Sequence, residues 1–206
     1  MTDIVDADPR LASAPSASRP PWTDIEPHPW RRFFARSLDV FLFGGAVLAV
    51  LGLVMGLVSP GRAYLLTDLL NGLVGRYVIT PVLMVTFAAP FIALSISRTG
   101  GTPGKWLFGV RVTDGDGDRL DLRSAFAREV RAAMIGAGLG LPVVSLGLGY
   151  QAQAHLTARR VTPWDEAGGH VVTHAPLDRR RIVLMAVGGG LWGAIRLAGL
   201  FSQFAG

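Results

Sequence analysis

The sequence predicts an all-α membrane protein, with three to four membrane-embedded helical segments and a small cytoplasmic β-hairpin element. Three observations predict it. Half of the 206 residues are apolar and only 17% are charged, less charge than soluble domains carry. The apolar residues collect in blocks, several of them about as long as the 20 or so residues that a bilayer-crossing helix needs. The arginines flank those blocks instead of lining one polar face, the pattern of cytoplasmic loops. With this hydropathy, the net charge of +5 reads as loop charge, and nucleic-acid binding is excluded. The absence of cysteine excludes disulfides, thiolate metal sites and a cysteine nucleophile.

Residues 1–29 are rich in Pro, Ser, Ala and Asp and show no apolar period, so they read as a disordered tail. No apolar core with a small-residue cleavage site follows a basic start, so a signal peptide is not expected. Residues 30–175 form the expected membrane domain, with apolar segments at about 37–59, 77–97 and 132–157. Residues 176–206 add a further apolar segment at about 182–204, interrupted by Gly188-Gly189-Gly190 and by Arg196. The first segment ends at Ser59-Pro60-Gly61. The second holds Pro81 and Pro90, which membrane helices tolerate when neighbours satisfy the freed backbone groups.

Between the second and third segments the chain is polar. GVRVTDGDGDRLDL alternates around a Gly/Asp centre. It predicts a local hairpin with Val110 and Val112 on one face and 114–118 as the turn. Ser124 is the expected cap of the helix that follows. Asp114, Asp116, Asp118 and Asp121 lack the Gly and the Glu of a calcium loop, so a turn is the reading there. Gly100 to Lys105 resembles a phosphate loop only loosely. Thr99 stands where that motif needs Gly, Trp106 where it needs Ser or Thr, and nucleotide binding is rejected.

Orientation follows from the basic residues. Arg31, Arg32 and Arg36 precede the first segment, and Lys105, Arg111, Arg119, Arg123, Arg128 and Arg131 follow the second. Both regions belong in the cytoplasm and the 61–75 loop outside. A full crossing by 132–157 would leave Arg159, Arg160 and Arg179 to Arg181 outside. A re-entrant hairpin broken near Gly140-Leu141-Pro142 keeps both of its ends inside and is the favoured path. Such a hairpin has to be buried in protein.

Arg32, Arg36 and Asp39 fall on one helical stripe. A carboxylate just inside an apolar run is costly unless paired, which makes Asp39 a functional candidate. One reading has Arg32 and Arg36 anchoring the helix at the headgroups and pairing with Asp39. The other gives Asp39 a transport role. Asp165 sits in Thr162-Pro163-Trp164-Asp165-Glu166, a variant of the capping box. It either starts a short helix or reaches the Arg stripe as an ion pair. His170 and His174 lie on a segment that reads as a strand, with no third ligand, so no metal is expected. No nucleophile–base pair, metal set or cofactor loop is evident, and neither enzymatic activity nor a cofactor is expected.

These motifs together resemble the RDD family of bacterial membrane proteins, named for one Arg and two Asp. WRRFFARSLD, from Trp30 to Asp39, resembles the family's first-helix motif, with Arg32 and Asp39 in signature positions. GTPGKWLFGVRV, with Gly101, Thr102, Pro103, Gly104 and Lys105 at its head, resembles the central loop. Arg128 matches a recurrent Arg, and TPWDEAGGHVV supplies Asp165 as the second signature Asp. The resemblance implies a bacterial cytoplasmic (inner) membrane location, and a cation/proton antiport role has been suggested for some members. Two functions are then in view. One is a membrane module with a structural Arg/Asp network. The other is a small cation/proton transporter using Asp39. Expected partners are the lipid bilayer and a second copy or another membrane protein, since the Gly-rich faces permit close helix contact.

Overall fold

The computed structural model describes residue 22 and residues 24–204, without side chains at 196 and from 199 onward. Most of the tail expected to be disordered, and the side chain of Arg196, therefore lie outside the described residues. The chain enters helix α1 (Pro29–Val58) through His28 at φ 37°, with Pro29 in the first turn, where a missing N–H costs nothing. Ser59 breaks the helix, and α2 (Pro60–Asn71) follows. A π turn, Gly75–Ile79, runs directly into α3 (Thr80–Thr99), which keeps Pro90 inside it.

Pro29–Val58 and Gly75–Thr99 are, among the described residues, the two helices long and apolar enough to cross a membrane, with mean hydropathies of 2.5 and 2.1. Only 6% of the most apolar stretch of the first is buried, against 33% for the second. A core helix of a soluble protein would be mostly covered. Here the apolar surface faces outward, where lipid can cover it. The two helices pack antiparallel and close. A Cβ on Gly44 would lie 2.3 Å from the Met84 carbonyl oxygen, so the backbones touch.

After α3, the short helix α4 (Pro103–Phe108) is capped by Thr102, whose hydroxyl accepts the Lys105 N–H. Strand β1 (Val110–Thr113) then pairs antiparallel with β2 (Val171–His174), Val110 facing His174 and Thr113 facing Val171. A two-stranded antiparallel element is present, but its second strand is not the one the local alternation suggested. The Asp114 carboxylate does organise the expected turn, accepting the N–H groups of Asp116 and Asp118. The returning chain does not pair. Leu120 drops into the core, 3% exposed, and the edge of β1 is filled by residues sixty positions on. Asp121, not Ser124, caps the next helix, α5 (Leu122–Arg131), by accepting the Ser124 N–H at 2.8 Å.

The 132–157 run is broken where its Gly and Pro residues lie. A π turn (Ala132–Gly136) and a 3-10 turn (Gly138–Gly140) precede α6 (Pro142–Arg159). Then come the one-turn helix α7 (Pro163–Glu166), β2 and α8 (Arg179–Phe204). Among the described residues, α6 does not meet the hydropathy of a crossing helix. Gln151, Gln153 and His155 dilute it. The buried core joins α1, α3, α4, α5 and the strand pair through Leu38, Ile92, Ile96, Phe108, Ala125, Val112 and Val172.

Candidate functional site

The N-terminal half of α1 presents a polar face to the elements packed on it. Arg31, Ala35, Leu38 and Asp39 are buried there, the i, i+4, i+7, i+8 spacing of one helical face. Asp39 is fully buried. Its carboxylate accepts the Thr102 hydroxyl, the Gly104 N–H at 2.7 Å and the Lys105 ammonium at 3.3 Å. Three donors from the start of α4 thus converge on one side chain of α1. Gly104 makes the approach possible, since a Cβ there would lie 2.4 Å from the Ala35 carbonyl oxygen and 2.7 Å from Asp39 Oδ1.

Asp39 is therefore not the partner of Arg32 and Arg36 that their shared stripe suggested. Both arginines are long enough to reach away from their own helix. Arg36 donates to Glu129 Oε2 at 2.6 Å. Arg32 lies 3.7 Å from Asp165 Oδ2. Arg128 closes the chain, donating through Nε to Asp165 Oδ1 and through Nη1 to Glu129 Oε1, each at 2.7 Å. The order Arg32–Asp165–Arg128–Glu129–Arg36 ties α1 to α5 and α7. Asp165 fills both of its proposed places. It stands in the first turn of α7, and it bridges Arg32 and Arg128. The Thr162 hydroxyl donates to Asp165 at 2.5 Å instead of capping the backbone.

Burial alone would push Glu129 up. The charges of Arg36, Lys105 and Arg128 outweigh burial and hold it down to about 2. Lys105 thereby couples the Asp39 cluster to the Glu129 cluster. Arg128, buried, is held above the usual arginine value by Asp165 and Glu129 despite desolvation. Within the loop motif, Gly101 accepts the Ser95 hydroxyl through its carbonyl and Pro103 opens α4.

Two members were missed from sequence. Glu129 is fully buried, and its signal was the face formed by Ala125, Arg128, Glu129 and Ala132, in which two alanines bracket the charges. Arg31 was read only as an orienting charge. It is 4% exposed and donates to the carbonyls of Phe108, Gly109 and Ala175 at 2.9–3.0 Å, pinning the end of α4 and the exit of β2 to α1. The His170–His174 pair does not form a site. His174 instead meets His28 and Asp24, and ligand atoms of these three lie within 4.8 Å of one another. Asp24 and His28 belong to the stretch read as tail, which is why spacing gave no hint of them.

A mostly helical, membrane-associated protein with an internal buried Arg/Asp salt-bridge network is the class that these features define. The family model described as "RDD family" matches residues 26–169, and the chain belongs to that family. No curated protein and no solved structure matches the chain.

Proposed function

We propose that the protein is a non-enzymatic, multi-pass module of the bacterial cytoplasmic (inner) membrane with a cytoplasmic N-terminus. Its buried network clamps a compact cytoplasmic cap onto the first membrane helix, for docking a second copy or another membrane protein. The observation that carries this reading is the coordination of Asp39. A carboxylate that accepts a hydroxyl, a backbone N–H and an ammonium, all from residues 102–105, is satisfied as a structural anchor is. A cation carrier at the same position would have to give up these bonds in every cycle. The other signature groups support the same role, since each joins α1 to an element distant in sequence.

Asp39→Asn tests it. The substitution leaves Lys105 buried without its carboxylate, a change that costs about 3–5 kcal/mol when one partner of a buried pair is removed. The expected result is a lower melting temperature in detergent and reduced abundance in the membrane. The cation/proton transporter reading expects the opposite. There D39N inserts and melts normally, and cation-driven proton flux in proteoliposomes, present in the wild type, is lost. That outcome would replace the anchor by a carrier.

A further inference from the structure

We infer that Asp24, His28 and His174 form a binding site for one divalent transition-metal ion of the zinc class, which clasps the chain entering α1 to strand β2. The ligand atoms of the three side chains lie within 4.8 Å of one another. In a tetrahedral site, bonds of about 2.1 Å set ligand atoms roughly 3.4 Å apart. Small rotations of Asp24 and His28, both half-exposed, cover the difference. Two of the three atoms already sit together, with His28 Nε2 2.7 Å from Asp24 Oδ2.

The second observation is His174 itself. It is fully buried, and neither of its ring nitrogens has a hydrogen-bond partner. A buried polar side chain with both nitrogens unused is uncommon and needs an explanation. Its ring stands edge-on to that of His28, with centroids 4.9 Å apart. The backbone holds the arrangement in place, because the His174 N–H donates to the Asp24 carbonyl oxygen at 2.7 Å.

Two imidazoles and one carboxylate suit zinc and its neighbours better than calcium or magnesium, which take oxygen ligands. They leave a fourth position for water. Arg31 and Arg32 face the same region and oppose a cation, so the affinity belongs to a moderate and not a picomolar site. The inference does not depend on the function proposed above, because none of the three residues belongs to the Asp39 or Glu129 clusters.

The test is titration of the full-length protein in detergent, freed of any polyhistidine tag, with Co²⁺ followed by Zn²⁺. The expected result is one equivalent of Co²⁺ with the visible absorption of a four-coordinate ion, displaced by Zn²⁺. His28→Gln and Asp24→Asn, both at half-exposed positions that fold without difficulty, are each expected to weaken binding by at least about tenfold. Zn²⁺ is expected to raise the melting temperature of the wild type and not of H28Q. Absence of stoichiometric binding in the wild type overturns the site and leaves His174 to a buried water. Binding unchanged in both variants overturns this ligand set.

Discussion

Glu129 is the residue on which the network turns, since it receives Arg36 and Arg128 on its two oxygens at 2.6 and 2.7 Å. Glu129→Gln keeps the shape and removes the charge, leaving the buried guanidinium of Arg128 and the partly buried one of Arg36 without this carboxylate. The expected loss is about 3–5 kcal/mol, read as a lower midpoint of thermal unfolding in detergent at neutral pH. The same residue sets a pH dependence. Its folded value, about 2, lies below the ordinary 4.5. Its contribution is therefore fully present above about pH 4.5 and is lost as pH falls toward 2. Wild type should lose stability over that window, and E129Q should lack this component. A parallel pH profile for the two proteins would remove Glu129 from the network's energetics. The sequence identified Arg32, Arg36, Asp39 and Asp165 as the charges that matter and offered Asp165 to the Arg stripe, where Arg32 meets it, but it set Arg32 and Arg36 on Asp39, which Lys105 takes instead. Helical spacing tells which side chains share a stripe. It does not tell which loop, arriving from sixty or more residues away, will meet them, and a long guanidinium reaches off its own stripe.

At the scale of elements, close approach of backbones decides the assembly. Helix α4 lies on α1 only because Gly104 has no side chain, as a Cβ there would overlap the Ala35 carbonyl and the Asp39 carboxylate. The first of these is backbone and cannot swing away. Gly104→Ala is expected to cost about 1–3 kcal/mol by forcing α4 outward and to loosen the donors around Asp39. Gly147→Ala is the matched control. Nothing lies within 4 Å of its Cβ position on α6, and alanine in place of a helical glycine gains up to about 1 kcal/mol. Opposite shifts in melting temperature are the expected pair of results, and equal shifts would mean that the α1–α4 contact is not tight. The helices themselves were legible, because apolar blocks, Pro at first turns and Gly at breaks are local signals. The strand pair was legible only in half. The alternation at Val110 and Val112 marked β1, whereas its partner, Val171–His174, lies beyond three further helices, α5, α6 and α7. Local pairing looked sufficient until Leu120 proved to be a core residue.

For the whole molecule, the network and the helix crossing both constrain the path of the 132–157 run. Arg128 precedes that run and Asp165 follows it, yet the two are bonded at 2.7 Å and Asp165 also faces Arg32. Departure and return therefore occur at one level, that of the first turns of α1. The far end is placed by Gly140, whose Cβ position lies 3.1 Å from Pro81. Gly44 meets Met84 where α1 and α3 cross, and α3 runs antiparallel to α1 at the same rise per residue. Pro81 is thus level with about Val47, near the middle of the apolar length of α1. An excursion that leaves the arginine level, turns near the height of Pro81 and comes back is the path a re-entrant hairpin would take, with Arg159 paired to Glu166 and Arg160 to Glu26 at its return. In inside-out and right-side-out vesicles, a cysteine introduced by Arg159→Cys should then react with a membrane-impermeant maleimide on the same face as one from Arg123→Cys. Arg62→Cys, on α2, should react on the opposite face. The native chain has no cysteine to compete. If Arg159→Cys labels together with Arg62→Cys, the run crosses the bilayer. The Arg32–Asp165 and Arg128–Asp165 pairs could not then coexist in the membrane, because their partners would stand on opposite sides.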